Sequence, residues 1–334
     1  MKQLHGSTMA SKKQTQPAHR FLHYRLNHNS GGSADSHYFD LMKDLSIMNR
    51  RLYKQGKVLK INSVQAFNTT GRTVLKICTV PNTWMSRQAW KRGKRIHDAQ
   101  FNRAIEASGG VMQLPSYHDY KVYMNASMVT DPDFLSNTIS DHNGNLAEQG
   151  EWVYADYETD LAGAGSFKVG FLGEPADTNG DGSTDYVGLI QSYGEARRTV
   201  PEELGRDTDA ENEELNAVLA FANSEAVQDE IYENVMNDND TPPYAGSGEN
   251  ALVGNKYVGA GMNMPSSQLV RLMAVGGSGG SNTNANPDVE TSRGFDAICG
   301  LVEIETLSSA SDDTIDVVFE IAVGDYKGVA AHDI

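Results

Sequence analysis

The chain is poor in the features that mark secreted, disulfide-stabilised or membrane-spanning proteins. Among its 334 residues it has two cysteines, Cys78 and Cys299, too few for a disulfide scaffold or a cysteine metal site. Its longest uninterrupted apolar run, residues 217–222, is far shorter than the ~20 residues that a membrane-spanning helix needs. Residues 1–8 lack the apolar core of a secretory signal. We therefore expect two buried thiols and synthesis in a reducing cytoplasm.

Motifs that mark catalytic sites are also missing. The sequence has no His-Glu-x-x-His, no Gly-x-Ser-x-Gly, no phosphate-binding loop and no Gly-x-Gly-x-x-Gly after a strand. His118 followed by Asp119 resembles a fragment of a catalytic triad, but such a pair at the start of a strand is usually structural. Pairs such as Glu158 and Asp160 carry little weight among 44 acidic residues. The sequence therefore predicts no catalytic residues and no enzyme activity.

Positive charge is scarce outside the first third of the chain. The whole chain has a formal net charge of −16. Residues 1–103 nevertheless contain 19 basic and 4 acidic residues, whereas residues 104–334 contain 9 and 40. A basic end joined to an acidic remainder predicts two different surroundings for the two parts.

Residues 1–35 are predicted to form a flexible basic arm. They are rich in Ser, Gln and Asn, have few branched apolar residues, and include Lys12 and Lys13. Within this arm, only His19 and His23 have the i, i+4 spacing of a metal-binding pair, so a polar arm without metal is favoured.

Two helices and two strands are predicted between the arm and residue 107. Apolar residues from Tyr38 to Leu52 recur at helical spacing, with Asp35 or Ser36 able to cap the start and Gly56 to end the helix. Strands follow at residues 58–67 and 73–80, which we expect to pair across a turn at residues 68–71. A second helix is predicted over residues 83–107. Basic residues crowd the last turn of the first helix, namely Arg50, Arg51, Lys54 and Lys57.

The second helix has an apolar and a basic side. At 100° per residue, one side gathers Trp90, His97, Phe101, Ala104 and Ile105, and another gathers Lys91, Arg92, Arg95 and Arg103. The basic side is either the solvated face of a core-packed helix or a surface that meets the phosphates of nucleic acid or lipid. No base-reading motif accompanies it. The candidate membrane- or genome-facing residues are Lys12, Lys13, Lys91, Arg92 and Arg95.

The remaining two thirds of the chain are predicted to be mainly β, interrupted by an acidic helical insertion at residues 207–236 and a Gly/Ser/Asn loop at residues 276–287. Strands are expected at residues 121–128, 151–157, 166–172, 185–193 and 268–275. The clearest alternation of apolar and polar residues covers 302–306 and 315–323, which we expect to form a hairpin. Many short strands and long loops indicate β-sandwiches or jelly rolls.

Residues 177–185 follow the first nine positions of a calcium loop. Asp177, Asn179, Asp181 and Asp185 supply oxygens at positions 1, 3, 5 and 9, and Gly182 stands at position 6. The bidentate Glu of an EF-hand is missing, since Gly188 occupies position 12. Two interpretations stay open: a structural Ca²⁺ site, or a plain turn between two strands.

Several stretches resemble a known family of capsid proteins. They are residues 38–41 and 46–56, residues 79–84 with Arg87, Ala89 and Trp90, and residues 118–124, 188–193, 300–304 and 326–329. These stretches extend over most of the chain. On them the chain resembles the double jelly-roll major capsid proteins of lipid-containing, single-stranded DNA phages of Flavobacterium.

The resemblance implies a mainly β subunit with two eight-stranded sandwiches side by side and a few helices. Three copies would form a pseudo-hexagonal capsomer, similar to that of adenovirus hexon, in an icosahedral virion around an internal membrane and an ssDNA genome. The expected partners are two further copies, neighbouring capsomers, minor capsid proteins, and lipid or ssDNA, with no small-molecule substrate. The expected domains are the arm at 1–35, a first jelly roll within 36–200 and a second within 201–334.

Two other classes of protein are compatible with the residues alone. One is a calcium-dependent β-sandwich adhesin or carbohydrate-binding protein, built around residues 177–185. The other is a β-jelly-roll hydrolase, which would need two carboxylates about 5–10 Å apart in a cleft.

Overall fold

Two compact units make up the chain. The computed structural model describes residues 17–28, 34–68, 72–107, 118–131, 152–158, 166–173, 175–180, 184–197, 267–276, 288–308 and 313–334. The first unit, here called the sandwich unit, comprises Met1–Ile77, Leu135–Trp152 and Val270–Asp333. The second, the inserted unit, comprises Cys78–Phe134, Val153–Leu269 and Ile334.

The described chain is mainly β, which confirms the predicted class. Before residue 80 the elements are β1 (Phe21–His28), β2 (Ala34–Asp40), α1 (Leu41–Asn49), β3 (Lys57–Asn68) and β4 (Arg72–Thr79). Between residues 80 and 200 they are α2 (Trp84–Ala107), α3 (Ala126–Thr130), β5 (Asp156–Glu158), β6 (Ser166–Gly170), β7 (Tyr186–Gly188) and α4 (Leu189–Arg197). After residue 266 they are β8 (Gln268–Gly276), β9 (Asp288–Ile298), β10 (Leu301–Ser308), β11 (Asp313–Ile321), β12 (Val323–Gly324), β13 (Gly328–Val329) and β14 (Ala331–Asp333).

The larger elements of the sandwich unit form two sheets. In the first sheet β11 lies between β1 and β3, and β9 pairs with the other edge of β3. The short β14 shares an edge of β3 with β11, because Leu59 pairs with Ala331 on that side and with Ala297 of β9 on the other. The second sheet has the order β2-β10-β4-β8. Most of these strands belong to the two ends of the chain, so the sandwich lies on both sides of the boundary expected near residue 200.

Consecutive strands from β1 to β4, and again from β8 to β11, alternate between the two sheets. The predicted strands at 58–67 and 73–80 exist as β3 and β4, but they lie in different sheets and do not pair with each other. The predicted hairpin at the end of the chain is wrong for the same reason, since β10 pairs with β2 and β4 while β11 pairs with β1 and β3. A short loop permits either a hairpin or a crossing to the facing sheet. The apolar face points inward in both cases, so local alternation cannot distinguish them.

Apolar side chains fill the space between the two sheets. The ring of Tyr24 on β1 lies 4.5 Å from that of Phe39 on β2 and 5.8 Å from that of Phe319 on β11, measured between centroids. All three side chains are at most 1% exposed. Around them pack aliphatic residues of both sheets, including Leu26, Val64, Leu75, Ile77, Val302, Ile304 and Val317. The centre of the sandwich is therefore a packed core.

Part of the segment predicted to be a flexible arm is a core strand. Residues 21–28 form β1, which pairs with β11 along its whole length, from Phe21 opposite Glu320 to His28 opposite Asp313. Leu22, Tyr24 and Leu26 are buried, and polar residues alternate with them. This alternation of apolar and polar residues is a sequence signal for a strand. The polar composition of the surrounding residues favoured a flexible arm instead. Lys12 and Lys13 lie outside the described residues.

The first helix begins later than its apolar spacing predicts. Residues 34–40 form β2, and Asp40 caps α1 by accepting hydrogen bonds from the backbone N–H groups of Met42 (3.0 Å) and Lys43 (3.1 Å). Arg50 ends the helix in the left-handed conformation, with φ of 52°. The prediction placed the cap at Asp35 or Ser36. Those residues instead pair with Thr306 and Glu305 of β10, a long-range contact that helical spacing does not reveal.

The inserted unit contains a three-stranded sheet in the order β5-β6-β7, with β5 antiparallel and β7 parallel to β6. The strands predicted at 151–157 and 166–172 correspond to β5 and β6, although β5 is short. The strand predicted at 121–128 is wrong, because Asn125 caps α3 by accepting a hydrogen bond from the N–H of Met128 (2.8 Å). The strand predicted at 185–193 ends at Gly188, where α4 begins.

Other sequence predictions are only partly covered by the described residues. β8 confirms the strand expected at 268–275, and α2 confirms the helix expected at 83–107. Neither cysteine is in a disulfide and both are buried, as expected. The acidic insertion at 207–236 lies outside the described residues, as does the Gly/Ser/Asn loop beyond Gly276.

Candidate phosphate-facing basic surface

Helix α2 carries the basic residues that the sequence singled out. Pro81 and Asn82 separate it from β4, and the hydroxyl of Thr83 accepts a hydrogen bond from the N–H of Ser86 at 3.2 Å. This bond satisfies one of the free N–H groups of the first turn, as an N-cap residue does. The helix then continues for 24 residues without proline.

One side of α2 packs against other elements of the inserted unit. Met85, Ala89 and Trp90 are buried. Gly93 marks the closest approach, because a Cβ there would lie 2.5 Å from the Tyr120 hydroxyl oxygen and 2.9 Å from Leu189 Cδ2. These contacts fix which side of the helix is turned away from the unit.

Aromatic and histidine rings continue this packed side along the helix. Tyr120 lies 5.8 Å from Trp90 and 5.1 Å from His97, while His118 stacks between His97 (5.2 Å) and Phe101 (4.3 Å), all measured between ring centroids. Burial lowers the pKa of both histidines, and His118 lowers that of His97 further. Both rings are therefore predominantly neutral at pH 7 and serve as packing groups, so the positive charge of α2 comes from its lysines and arginines.

The opposite side of α2 presents Lys91, Arg92 and Arg95 within an arc of about 100°. Arg92 and Arg95 are exposed and Lys91 is half-buried. Lys94 differs from them because it forms an i, i+4 ion pair of 2.7 Å with Asp98. Within the described parts of the chain, no carboxylate lies at ion-pair distance from Lys91, Arg92 or Arg95. These three residues form the α2 basic surface, which can attract a polyanion in a salt-dependent way.

A second basic group lies in the sandwich unit, after α1. Arg51, Lys54 and Lys57 were visible in the sequence, but the structure adds Lys327, whose pKa responds to all three. Lys327 is 270 positions further along the chain than Lys57. No local pattern could have joined them, since their proximity depends on β12 and β13 folding back towards the start of β3.

The calcium-like loop is partly described. Asp185 is buried, and its carboxylate accepts hydrogen bonds from the N–H (2.5 Å) and hydroxyl (2.7 Å) of Thr178. Asp177 accepts one from the N–H of Gly180, three residues further on, at 2.6 Å, a local side-chain bond that is common in turns. Asn179 is exposed, and Asp181 lies outside the described residues. These hydrogen bonds are compatible with a plain turn, and the Ca²⁺ site stays a prediction.

No group of three or more His, Cys, Asp or Glu side chains that could hold a metal ion occurs in the described ranges. None of the helices in these ranges combines the length and apolarity needed to cross a bilayer.

Comparisons with known proteins add no relatives. No protein-family model matches the chain, and no curated protein or solved structure matches it either.

Proposed function

We propose that this protein is a structural subunit of a virus capsid, a double jelly roll that assembles as trimeric, pseudo-hexagonal capsomers. On this proposal it works by packing against copies of itself and carries out no reaction. The capsomers would form an icosahedral shell around an internal membrane and an ssDNA genome.

The observation that carries the proposal is the strand order of the sandwich unit. Its eight long strands form two sheets, in the orders β1-β11-β3-β9 and β2-β10-β4-β8, and they alternate between these sheets along the chain except at β4 and β8, which are neighbours in the second sheet. This strand order supports a jelly roll, a fold that is common in viral capsids and also occurs in lectins and cupins. The sandwich unit would be one of the two barrels, and the inserted unit, which enters between β4 and β8, would supply the other.

The filled interior favours a building block over a binding protein or an enzyme. Jelly-roll proteins that hold a ligand between their sheets need a cavity there. In this sandwich that space is occupied by Tyr24, Phe39 and Phe319 and the aliphatic residues around them. Fold alone does not decide function, but a filled interior leaves no room for a ligand between the two sheets.

The uneven charge supports a shell with two different sides. The α2 basic surface and the second basic group lie in the first third of the chain and at Lys327, whereas acidic residues dominate after residue 103. A capsid subunit of this kind would turn basic groups towards anionic lipid or DNA.

The oligomeric state tests the proposal. Light scattering after size-exclusion chromatography is expected to give three times the chain mass of 36.4 kDa at micromolar concentration. Negative-stain electron microscopy is expected to show pseudo-hexagonal particles or shells. A stable monomer under these conditions would contradict the proposal. Binding to a glycan array that disappears with a chelator would instead support the calcium-dependent carbohydrate-binding alternative.

A further inference from the structure

A tight turn near the end of the chain holds Tyr326 and Lys327 against the segment that follows α1. Within the turn, the N–H groups of Tyr326 and Val329 each donate to the other residue's carbonyl, at 3.1 and 3.0 Å. Lys327 has φ of 52°, a left-handed conformation that costs a non-glycine residue about 1 kcal/mol or more. The hydroxyl of Tyr53 donates to the Lys327 carbonyl at 2.9 Å, which helps to hold this conformation.

Further contacts fix the two tyrosines and both sides of the turn. The rings of Tyr53 and Tyr326 meet edge to face at 5.9 Å, and the N–H of Lys54 donates to the Tyr326 hydroxyl at 3.0 Å. The Lys327 ammonium also donates to the Leu52 carbonyl. These contacts hold the Lys327 side chain and the backbone of Lys54 in place beside the two rings.

Two lysine ammonium groups lie against these rings, and two further cations lie near them in the fold. The Lys57 ammonium lies 4.3 Å from the centre of the Tyr326 ring, and that of Lys327 lies 5.6 Å from the same ring. Arg51 and Lys54 are exposed, and both are close enough to Lys327 for their charges to lower its pKa. Asp333 forms an ion pair of 2.6 Å with Lys57, and its side chain is 87% exposed. We call Arg51, Lys54, Lys57 and Lys327 the Tyr326 cluster.

The cluster concentrates positive charge. Burial lowers the pKa of Lys327, and the charges that lower it further are those of Lys54, Arg51 and Lys57. Mutual repulsion of this kind raises the free energy of the protein without an anion and falls when an anion binds. A phosphate group suits this cluster better than a carboxylate, because it offers more negative charge and more acceptor oxygens to several donors at once.

We propose that the Tyr326 cluster is a binding site for a phosphate group, either free or at the head of an anionic lipid. The site is distinct in sequence from the α2 basic surface and does not require that the protein be a capsid subunit. A failure of trimer formation would therefore leave it standing, and its own failure would leave the capsid proposal standing.

The test uses the full chain and two variants in exposed side chains, Lys54→Gln and Arg51→Gln, with Lys60→Gln as the matched control. Lys60 is an exposed lysine on the neighbouring β3 and is not part of the cluster. Inorganic phosphate at constant ionic strength is expected to raise the melting temperature of the wild type and of Lys60→Gln. Each cluster variant should bind phosphate several-fold more weakly, and the double variant about tenfold or more, since each removes one of the cationic donors. Unchanged circular dichroism and melting without phosphate would establish that the variants fold.

Vesicles distinguish the two sources of phosphate. If the ligand is a lipid head group, the double variant should bind phosphatidylglycerol vesicles more weakly than Lys60→Gln does, with no binding difference on phosphatidylcholine. Equal binding of both variants to phosphatidylglycerol, with the phosphate response lost only in the double variant, would identify free phosphate. An equal phosphate response in wild type and double variant, or a loss confined to binding of an ssDNA oligonucleotide, would overturn the proposal.

Discussion

Asp44 is a carboxyl group in the core of the sandwich unit, and its ionisation should control how stability depends on pH. It lies in the first turn of α1, is fully buried, and accepts a hydrogen bond of 2.5 Å from the Tyr24 hydroxyl through Oδ2. Its other oxygen has no hydrogen-bond partner among the described residues. Burial raises the pKa of Asp44 to about 7, Asp40 adds to the increase, and Lys43 and the Tyr24 hydrogen bond oppose it.

The direction of the pH dependence follows from this pKa. In the unfolded chain the Asp44 carboxyl has its ordinary pKa of 3.8. Between about pH 4 and pH 7 the folded state therefore holds a proton that the unfolded state has lost. The contribution of Asp44 to the free energy of unfolding therefore falls as the pH rises through this window and levels off above it. The difference between pKa values of 3.8 and about 7 corresponds to about 4 kcal/mol.

The substitution Asp44→Asn removes this ionisation and keeps an oxygen that can accept from Tyr24. We expect the unfolding free energy of the variant, measured by urea denaturation from pH 4 to pH 8, to gain on the wild type by about 4 kcal/mol across the window. Asp296→Asn, in an exposed position on β9, is the control and should run parallel to the wild type. If the Asp44→Asn and wild-type curves stay parallel as well, the carboxyl is already ionised in the folded state and the reasoning fails.

Three further predictions concern the turn before β10, the α2 basic surface and the calcium-like loop. Gly300→Ala should lower the unfolding free energy by ~1–3 kcal/mol in the same denaturation assay, because φ is +69° and the new Cβ would lie 3.0 Å from Met42 Cγ. The double variant Arg92→Glu, Arg95→Glu should bind anionic vesicles or ssDNA about tenfold or more weakly at low salt, with little effect at high salt. Gln100→Glu, at another exposed position on α2, is the control and should change the binding less. Equal binding of the double variant and the wild type at low salt would exclude the α2 basic surface. If residues 177–185 hold Ca²⁺, EDTA should lower the melting temperature of the wild type and not that of Asp181→Ala. Identical melting of wild type and variant, each with and without EDTA, would show that the segment is a plain turn.

Helices and strands could be predicted most accurately from sequence where the signal is local. The basic helix at 83–107 was predicted to within one residue of α2, and the side that buries Trp90 was the predicted one. The strands β3, β4, β10 and β11 were also located, because alternation over eight or more residues is a strong signal. The predicted start of α1 was less accurate, because the preceding residues pair with β10. The predicted end of the β7 strand was also less accurate, because helix α4 follows Gly188 directly.

The candidate sites also differ in how far local sequence could predict them. Lys91, Arg92 and Arg95 could be assigned to one helix face from their spacing, and the structure places them there. The Tyr326 cluster could not be predicted as a whole, because Lys327 comes from the far end of the chain. The hydrogen bonds that Thr178 donates to Asp185 could not be predicted either, because the calcium-loop motif considers only which positions carry side-chain oxygens.

By itself, the sequence determined the mainly β class, the basic helix and the division of charge, since each depends on residue type and short-range periodicity. Only the tertiary structure decided which strands pair. β1 is a core strand because β11, almost 300 residues later, supplies its hydrogen-bonding partner. Sheet pairing joins residues that are distant in the chain, and an apolar strand face is compatible with several partners until the whole sandwich packs.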